Sequence, residues 1–128
     1  MEANVNTLNW FEIPAVNIGR AQEFYEIIFD MDMPHMQEIM GMKIVRLPAE
    51  LTDGKVLGVI VERPSHKPSA ERPVIYLNAN PDIQKILDRV EEFDGKVIMP
   101  KTEISSGIGF KAYFIDTEGN KIGLQAQN

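Results

Sequence analysis

Two acidic side chains, two histidines and a repeated glycine are the features of this chain that invite a chemical reading. Glu12 stands in Asn-Trp-Phe-Glu-Ile-Pro, two places after the single tryptophan, Trp10. A carboxylate on a strand beside an indole can face a partly apolar cavity, where desolvation raises its pKa and fits it for general acid or base work. The competing reading is an ion pair with Arg20, Arg46 or another base at the strand edge. Glu62 is expected in solvent; together with Glu12 it would offer two carboxylates, enough for a softly held magnesium or calcium but not for a tight catalytic zinc. His35 and His66 read as surface or loop histidines. Ser105 and Ser106 belong to no nucleophile-elbow pattern. The absence of cysteine excludes disulfides, thiolate metal sites and cysteine nucleophiles.

The glycines come as a pair. Gly119-Asn-Lys-Ile-Gly-Leu near the end echoes Gly54-Lys-Val-Leu-Gly-Val at mid-chain, which lays Gly123 over Gly58. Glycine weakens a strand interior, so its recurrence needs a reason. One is space for a ligand, or for Trp10 and Tyr76; the other is a backbone bend or close strand packing. Both stand open at this level.

The elements that must position these residues fall into two halves. Residues 7–15 alternate as a strand, and Asn17 then caps a helix over 18–29 whose buried stripe is Ala21, Phe24, Tyr25 and Ile28. Residues 31–39, 42–48 and 55–62 read as three strands. Three prolines, two serines and several charges mark a connector. The second half repeats the order: a strand over 73–79, Asn80 and Pro81 as N-cap and first helical residue, and a helix buried through Ile83, Ile86, Leu87, Val90 and Phe93 up to Gly95. Strands over 95–104, 109–117 and 120–127 close it. The expected organisation is one domain: module one about 6–62, connector about 63–72, module two about 73–127. The segment 102–109 between two strands is either a mobile rim or an ordinary hairpin connection, the latter the safer assumption.

The chain of 128 residues is long enough to bury a core without staples. Nineteen acidic against 13 basic residues leave a net charge of −6, which disfavours nucleic acid as a partner. No apolar run approaches bilayer-spanning length, and the opening Met-Glu-Ala-Asn-Val lacks the pattern of a signal peptide, so no membrane partner and a cytoplasmic location are expected. Five methionines crowd residues 31–42, as fillers of a core or dimer interface or as an adaptable apolar binding surface.

Two β-α-β-β-β halves, the opening Asn-Trp-Phe-Glu-Ile-Pro-Ala-Val-Asn-Ile-Gly-Arg and the closing Asp-Thr-Glu-Gly-Asn-Lys-Ile-Gly-Leu together resemble the vicinal oxygen chelate superfamily. That group includes glyoxalase I, extradiol dioxygenases, methylmalonyl-CoA epimerase, fosfomycin-resistance enzymes and bleomycin-resistance proteins. The resemblance implies an α+β fold of two βαβββ modules in pseudo-twofold repeat, forming curved mixed sheets. It also implies a ligand in the cup of each sheet and homodimers that commonly share cups. In metal-dependent members the ligands come from the first and last strands of each half. Here the matching positions are Trp10, Gly58, Val74 and Gly123. Indole nitrogen donates and has no lone pair to offer, and glycine and valine offer no donor, so no metal is expected.

Strand alternation divides the residues further. Phe11, Ile13, Leu57, Val59, Val61, Ile75, Leu77, Ile122 and Leu124 are expected under the helices. Trp10, Glu12, Gly58, Ile60, Glu62, Val74, Tyr76, Asn78, Gly123 and Gln125 are expected on the other face, lining the cup. The function implied is a small-molecule binder without cofactor; the acidic surface would suit a cationic or polar-aromatic ligand. The alternative is a divalent-metal-dependent lyase, isomerase or dioxygenase of glyoxalase type with Glu12 as the catalytic residue.

Overall fold

The computed structural model describes residues 7–48, 56–105 and 107–128. The first module comprises β1 (Trp10–Pro14), α1 (Ile18–Phe29), β2 (Gln37–Ile39), β3 (Met42–Arg46) and β4 (Leu57–Glu62). The second comprises β5 (Tyr76–Asn78), α2 (Ile83–Glu92), β6 (Lys96–Ser105), β7 (Gly109–Ile115) and β8 (Lys121–Ala126). Each module forms a mixed four-stranded sheet, in the orders β1-β4-β3-β2 and β5-β8-β7-β6, with the first and last strands of the module paired parallel. This is the expected pair of βαβββ modules.

Helix α1 begins where Asn17 predicts, with the Asn17 side chain accepting the Arg20 N–H. It buries Ile18, Ala21, Phe24, Tyr25 and Ile28. Each large apolar side chain buried this way contributes about 1.5–3 kcal/mol. The start of α2 differs from expectation: Asp82 is the N-cap, its carboxylate accepting the Gln84 N–H, and Asn80 and Pro81 precede it. Two Asx residues compete for the cap, and only Asp82 lies two residues before a free helix amide. Phe93 is the C-cap and is largely exposed, because the buried stripe of α2 ends at Val90. The strand expected over residues 31–39 is confined to β2, and Met33 alone of its methionines enters the core. Strand β5 is likewise shorter than expected, leaving Val74 outside it.

Both helices lie on the inner side of their sheets and share one core. Phe24 of α1 packs on Tyr25 and on Phe114 of β7, at ring-centroid separations of 5.2 and 6.0 Å. The β7–β8 turn stitches the modules together. Asp116 accepts the Tyr25 hydroxyl at 2.7 Å, and Asn120 donates to the Pro14 carbonyl at 2.7 Å. Glu118 accepts the amides of Val16 and Asn17 and a two-pronged contact from Arg20. Burial pushes the Asp116 carboxyl above its ordinary range, against the pull of its hydrogen bonds from Asn120 and Tyr25. Burial also acts on Glu118, but its bonds from Arg20, Asn17 and Thr117 prevail and hold it below the ordinary range.

Sheet register decides which residues face away from the helices. In the second sheet Leu77, Leu124, Ala112, Phe114 and Ile122 are buried on the helix side. Tyr76, Asn78, Gly123 and Gln125 alternate onto the outer face, as expected. In the first sheet the expected division fails for the last strand. Phe11 pairs with Gly58 and Ile13 with Ile60, so all four share one face. Ile13 and Ile60 are 1% and 0% exposed in the common core, which makes that face the inner one. Gly58 and Ile60 therefore point toward α1, and Leu57, Val59 and Val61 point outward with Trp10 and Glu12. A slip of one residue in alignment reverses every side chain of a strand.

The cause is visible in the connections. Ile13 and Ala15 occupy the core positions that Leu77 and Ala79 occupy in the second module, while the helices begin at Ile18 and Ile83. The second strand-to-helix connection is one residue longer. Aligning the two closing glycines carries that extra residue into the last strands, where it does not belong.

Candidate functional site

The outer face of the second sheet gathers the most chemistry. Gly123 is in register with Tyr76 on one side and Tyr113 on the other. Having no side chain, Gly123 lets the Tyr76 ring lie over its backbone: a Cβ there would sit 2.6 Å from Tyr76 Cδ1. The two tyrosine rings are 5.7 Å apart at 53°, and their hydroxyls share a short hydrogen bond. Lys111, on the same face of β7, approaches the Tyr113 hydroxyl at 3.4 Å. The Lys121 ammonium lies 4.5 Å from the Tyr113 ring centroid and that of Lys111 lies 5.5 Å away.

These neighbours separate the two phenols. Burial pushes Tyr76 up to about 12, helped by its bond to Tyr113. Tyr113 moves the other way, through the hydrogen bond from Tyr76 first and then the bond from Lys111 and the two lysine charges. Tyr113 is thus the phenol that ionises first, with Tyr76 keeping its proton and donating it. Gln125 donates to the Ile108 carbonyl at 2.9 Å, and the Asn78 side-chain oxygen accepts the Asn80 amide at 2.9 Å.

The outer face of the first sheet is arranged differently. Glu12 meets Arg63 at 3.2 Å and lies 3.8 Å from His66 Nε2, while the other Arg63 nitrogen donates to Met42 Sδ. The connector folds back here, and Val59 and Val61 are buried. His66 is consequently not a free surface histidine: its side chain is 19% exposed. Burial and then the Arg63 charge depress its pKa, with Glu12 pulling the other way, which favours the neutral ring. Nε atoms of Arg46 and Arg63 and Nε2 of His66 are buried without hydrogen-bond partners. Trp10, at the open end of β1, is 47% exposed. Glu62 lies on the opposite face, accepting the Ile18 N–H at 2.9 Å at the start of α1, so it forms no pair with Glu12.

A groove of about 840 Å³ runs between the modules beside β5 and reaches the outer face at Tyr76 and Asn78. Leu8, Phe11, Phe29 and Leu47 supply apolar walls, and of the expected ligand-binding residues Gly58, Val74, Tyr76 and Asn78 reach it. Of its charged rim, Arg89 donates to the Ile28 carbonyl and Asp82 caps α2, while Lys85 stands beside them.

A family described as the Glyoxalase/Bleomycin resistance protein/Dioxygenase superfamily matches residues 7–124. The chain belongs to this superfamily. No curated protein matches it. Solved structures in the superfamily's shape include TnmS3, an antibiotic binding protein from Streptomyces sp. CB03234, at 20% identity and a TM-score of 0.66, covering 99% of this chain and 100% of that one. A glyoxalase/bleomycin resistance protein from the same organism is 22% identical with a TM-score of 0.64, covering 93% and 99%. Leishmania major glyoxalase I is 15% identical with a TM-score of 0.68, covering 95% and 87%. Likeness at these identities speaks for the fold alone.

The metal that some superfamily members use does not fit these residues. The resemblance points to Trp10, Gly58, Val74 and Gly123. Structural register instead makes Glu12 the counterpart of Tyr76, and Val59 that of Gly123. Either set supplies at most one carboxylate and one phenol, and that carboxylate is held by Arg63. Among the described residues no three histidine, aspartate or glutamate side chains are grouped to hold an ion.

Sequence reasoning missed Lys111, Tyr113 and Lys121; the base expected beside Glu12 is Arg63, not Arg20 or Arg46. The signal for the first two was present: in Gly-Phe-Lys-Ala-Tyr-Phe-Ile the period of two that buries Ala112 and Phe114 sends Lys111 and Tyr113 outward.

Proposed function

We propose that this superfamily member is a small-molecule-binding protein whose ligand lies against the outer face of the second sheet, in a cup completed by a second copy of the chain. The observation that carries the reading is Tyr76 seated on side-chain-free Gly123, beside Tyr113 and two lysines, on a sheet face that the chain's own helices leave open. Aromatic walls with a few convergent polar groups are the usual make-up of such sites. Trp10 and Tyr76, 47% and 43% exposed, are large aromatic surfaces of the kind that a ligand or a partner copy covers. The antibiotic-binding protein among the structural neighbours supports a binding role on this fold. Glu12, fixed by Arg63 beside His66, serves in this reading as part of the cup wall and not as a proton carrier.

The test uses the single tryptophan. Trp10 emission is followed while planar aromatic compounds are titrated into the purified chain, and its mass in solution is measured by light scattering. A dimer whose Trp10 emission responds to ligand, with the response lost in Tyr76→Ala, is the expected result. A monomer, or a response indifferent to Tyr76→Ala, would remove the shared-cup reading.

A further inference from the structure

The charges of the two outer faces run against the charge of the chain. The protein as a whole carries −6. By register, Arg46, Lys111 and Lys121 lie on outer faces, and Arg63 reaches the Glu12 carboxylate there. Among the described strand residues Glu12 is the carboxylate on these faces, and it is already engaged. Glu62 and Glu103 fall on the inner parity of their strands, paired with Lys43 and Phe110.

Lys111 and Lys121 form no ion pair with a carboxylate among the described residues; both turn their ammonium groups to one tyrosine ring. Two like charges held over one ring repel each other, and the ring's quadrupole offsets only part of that. An anion between them would relieve the repulsion and gain two charge-assisted hydrogen bonds. Tyr113 adds a hydroxyl at the same point, and Tyr76 a flat apolar surface.

We propose that the ligand of this cup is a small aromatic anion, its carboxylate or equivalent acid group seated between Lys111 and Lys121 beside the Tyr113 hydroxyl, and its ring system laid against Tyr76 above Gly123. The proposal rests on the outer-face cup reading and replaces the cationic ligand that net charge alone favours. Net charge describes the whole surface, whereas a ligand meets only the groups within a Debye length, about 8–10 Å at ordinary salt.

Three probes of one shape and different charge test it: naphthoate, naphthamide and naphthylmethylammonium, each titrated calorimetrically into the full chain. Naphthoate is expected to bind about tenfold or more tighter than naphthamide, since a charge-assisted bond is roughly twice as strong as a neutral one. The ammonium should bind weakest, and added salt should narrow the differences. Lys111→Gln with Lys121→Gln should erase the preference, and Lys111→Arg should keep most of it. Both lysines are partly exposed, so melting curves should confirm that the variants fold. Equal binding of naphthamide or the ammonium overturns the anion proposal and leaves the cup standing. A naphthoate preference that survives the double substitution overturns it as well, because the anion then sits elsewhere. Failure of all three probes to bind overturns both readings together.

Discussion

The two closing glycines look alike in sequence and should answer differently to the same substitution. At Gly58 an added Cβ falls within the Phe11 ring, which packs against the common core. Gly58→Ala must drive that ring off its seat. Overpacking of this kind costs about 1–3 kcal/mol, and the roughly 0.5–1 kcal/mol that alanine gains over glycine inside a strand offsets part of it. A net loss of up to about 2.5 kcal/mol lowers the melting temperature by up to about 8 °C for a chain of this length. At Gly123 the Cβ meets Tyr76, which is 43% exposed and has solvent to swing into. The same strand gain then balances the displaced contact, and Gly123→Ala should change stability by less than about 1 kcal/mol. Its effect belongs in the site: with Tyr76 lifted away, the Tyr76–Tyr113 hydrogen bond breaks and Tyr113 loses the largest influence on its acidity. Thermal denaturation of both variants, paired with ultraviolet titration of the phenols, reads out the two effects. If Gly123→Ala is the more destabilising of the pair, or if it leaves the phenol titration unchanged, the assignment of the glycines to opposite faces is wrong.

Glu118→Ala should destabilise by about 2–4 kcal/mol, since it strands the amides of Val16 and Asn17 while half-exposed Arg20 finds water; Glu118→Gln, which keeps one acceptor oxygen, should cost less by the same melting assay. Because the Glu118 pKa is lowered on folding, its contribution is complete above the ordinary carboxylate range and lost as pH falls through the lowered value. The gap between wild type and Glu118→Gln should therefore narrow in acid, and a gap that widens there would contradict the assignment. Naphthoate affinity should fall as pH rises through the depressed Tyr113 value, because a phenolate facing Tyr76, Lys111 and Lys121 takes the place of the bound anion. Tyr113→Phe should flatten that alkaline fall, and an unflattened profile would place the titrating group elsewhere.

The parts of the fold legible in the sequence were those with one consistent local signal. Asn17 has no rival as a cap, and the stripe Ala21, Phe24, Tyr25 and Ile28 fits one helical period, so α1 appears where its residues place it. The α2 cap was ambiguous because Asn80 and Asp82 both qualify by type, and choosing between them depends on which amide each oxygen reaches. The faces of the second sheet followed from alternation within its own strands. Those of β4 were borrowed from the second module through the shared glycine, and one extra residue before α2 made the borrowed parity wrong.

The charge of the site was hidden for a related reason. Net charge is a sum over the chain and carries no record of which face a side chain occupies; only pairing between strands supplies that. Lys111 and Lys121 are distant neighbours in sequence, and the β7–β8 register places Lys121 opposite Ile115, two residues beyond Tyr113. The register is in turn held by the buried Asp116 and Asn120, whose bonds close the β7–β8 turn and tie it to Pro14 of the first module. The same short turn that joins the halves thus sets the spacing of the two ammonium groups over one ring. A change at Asn120 should therefore reach anion binding without touching the ligand.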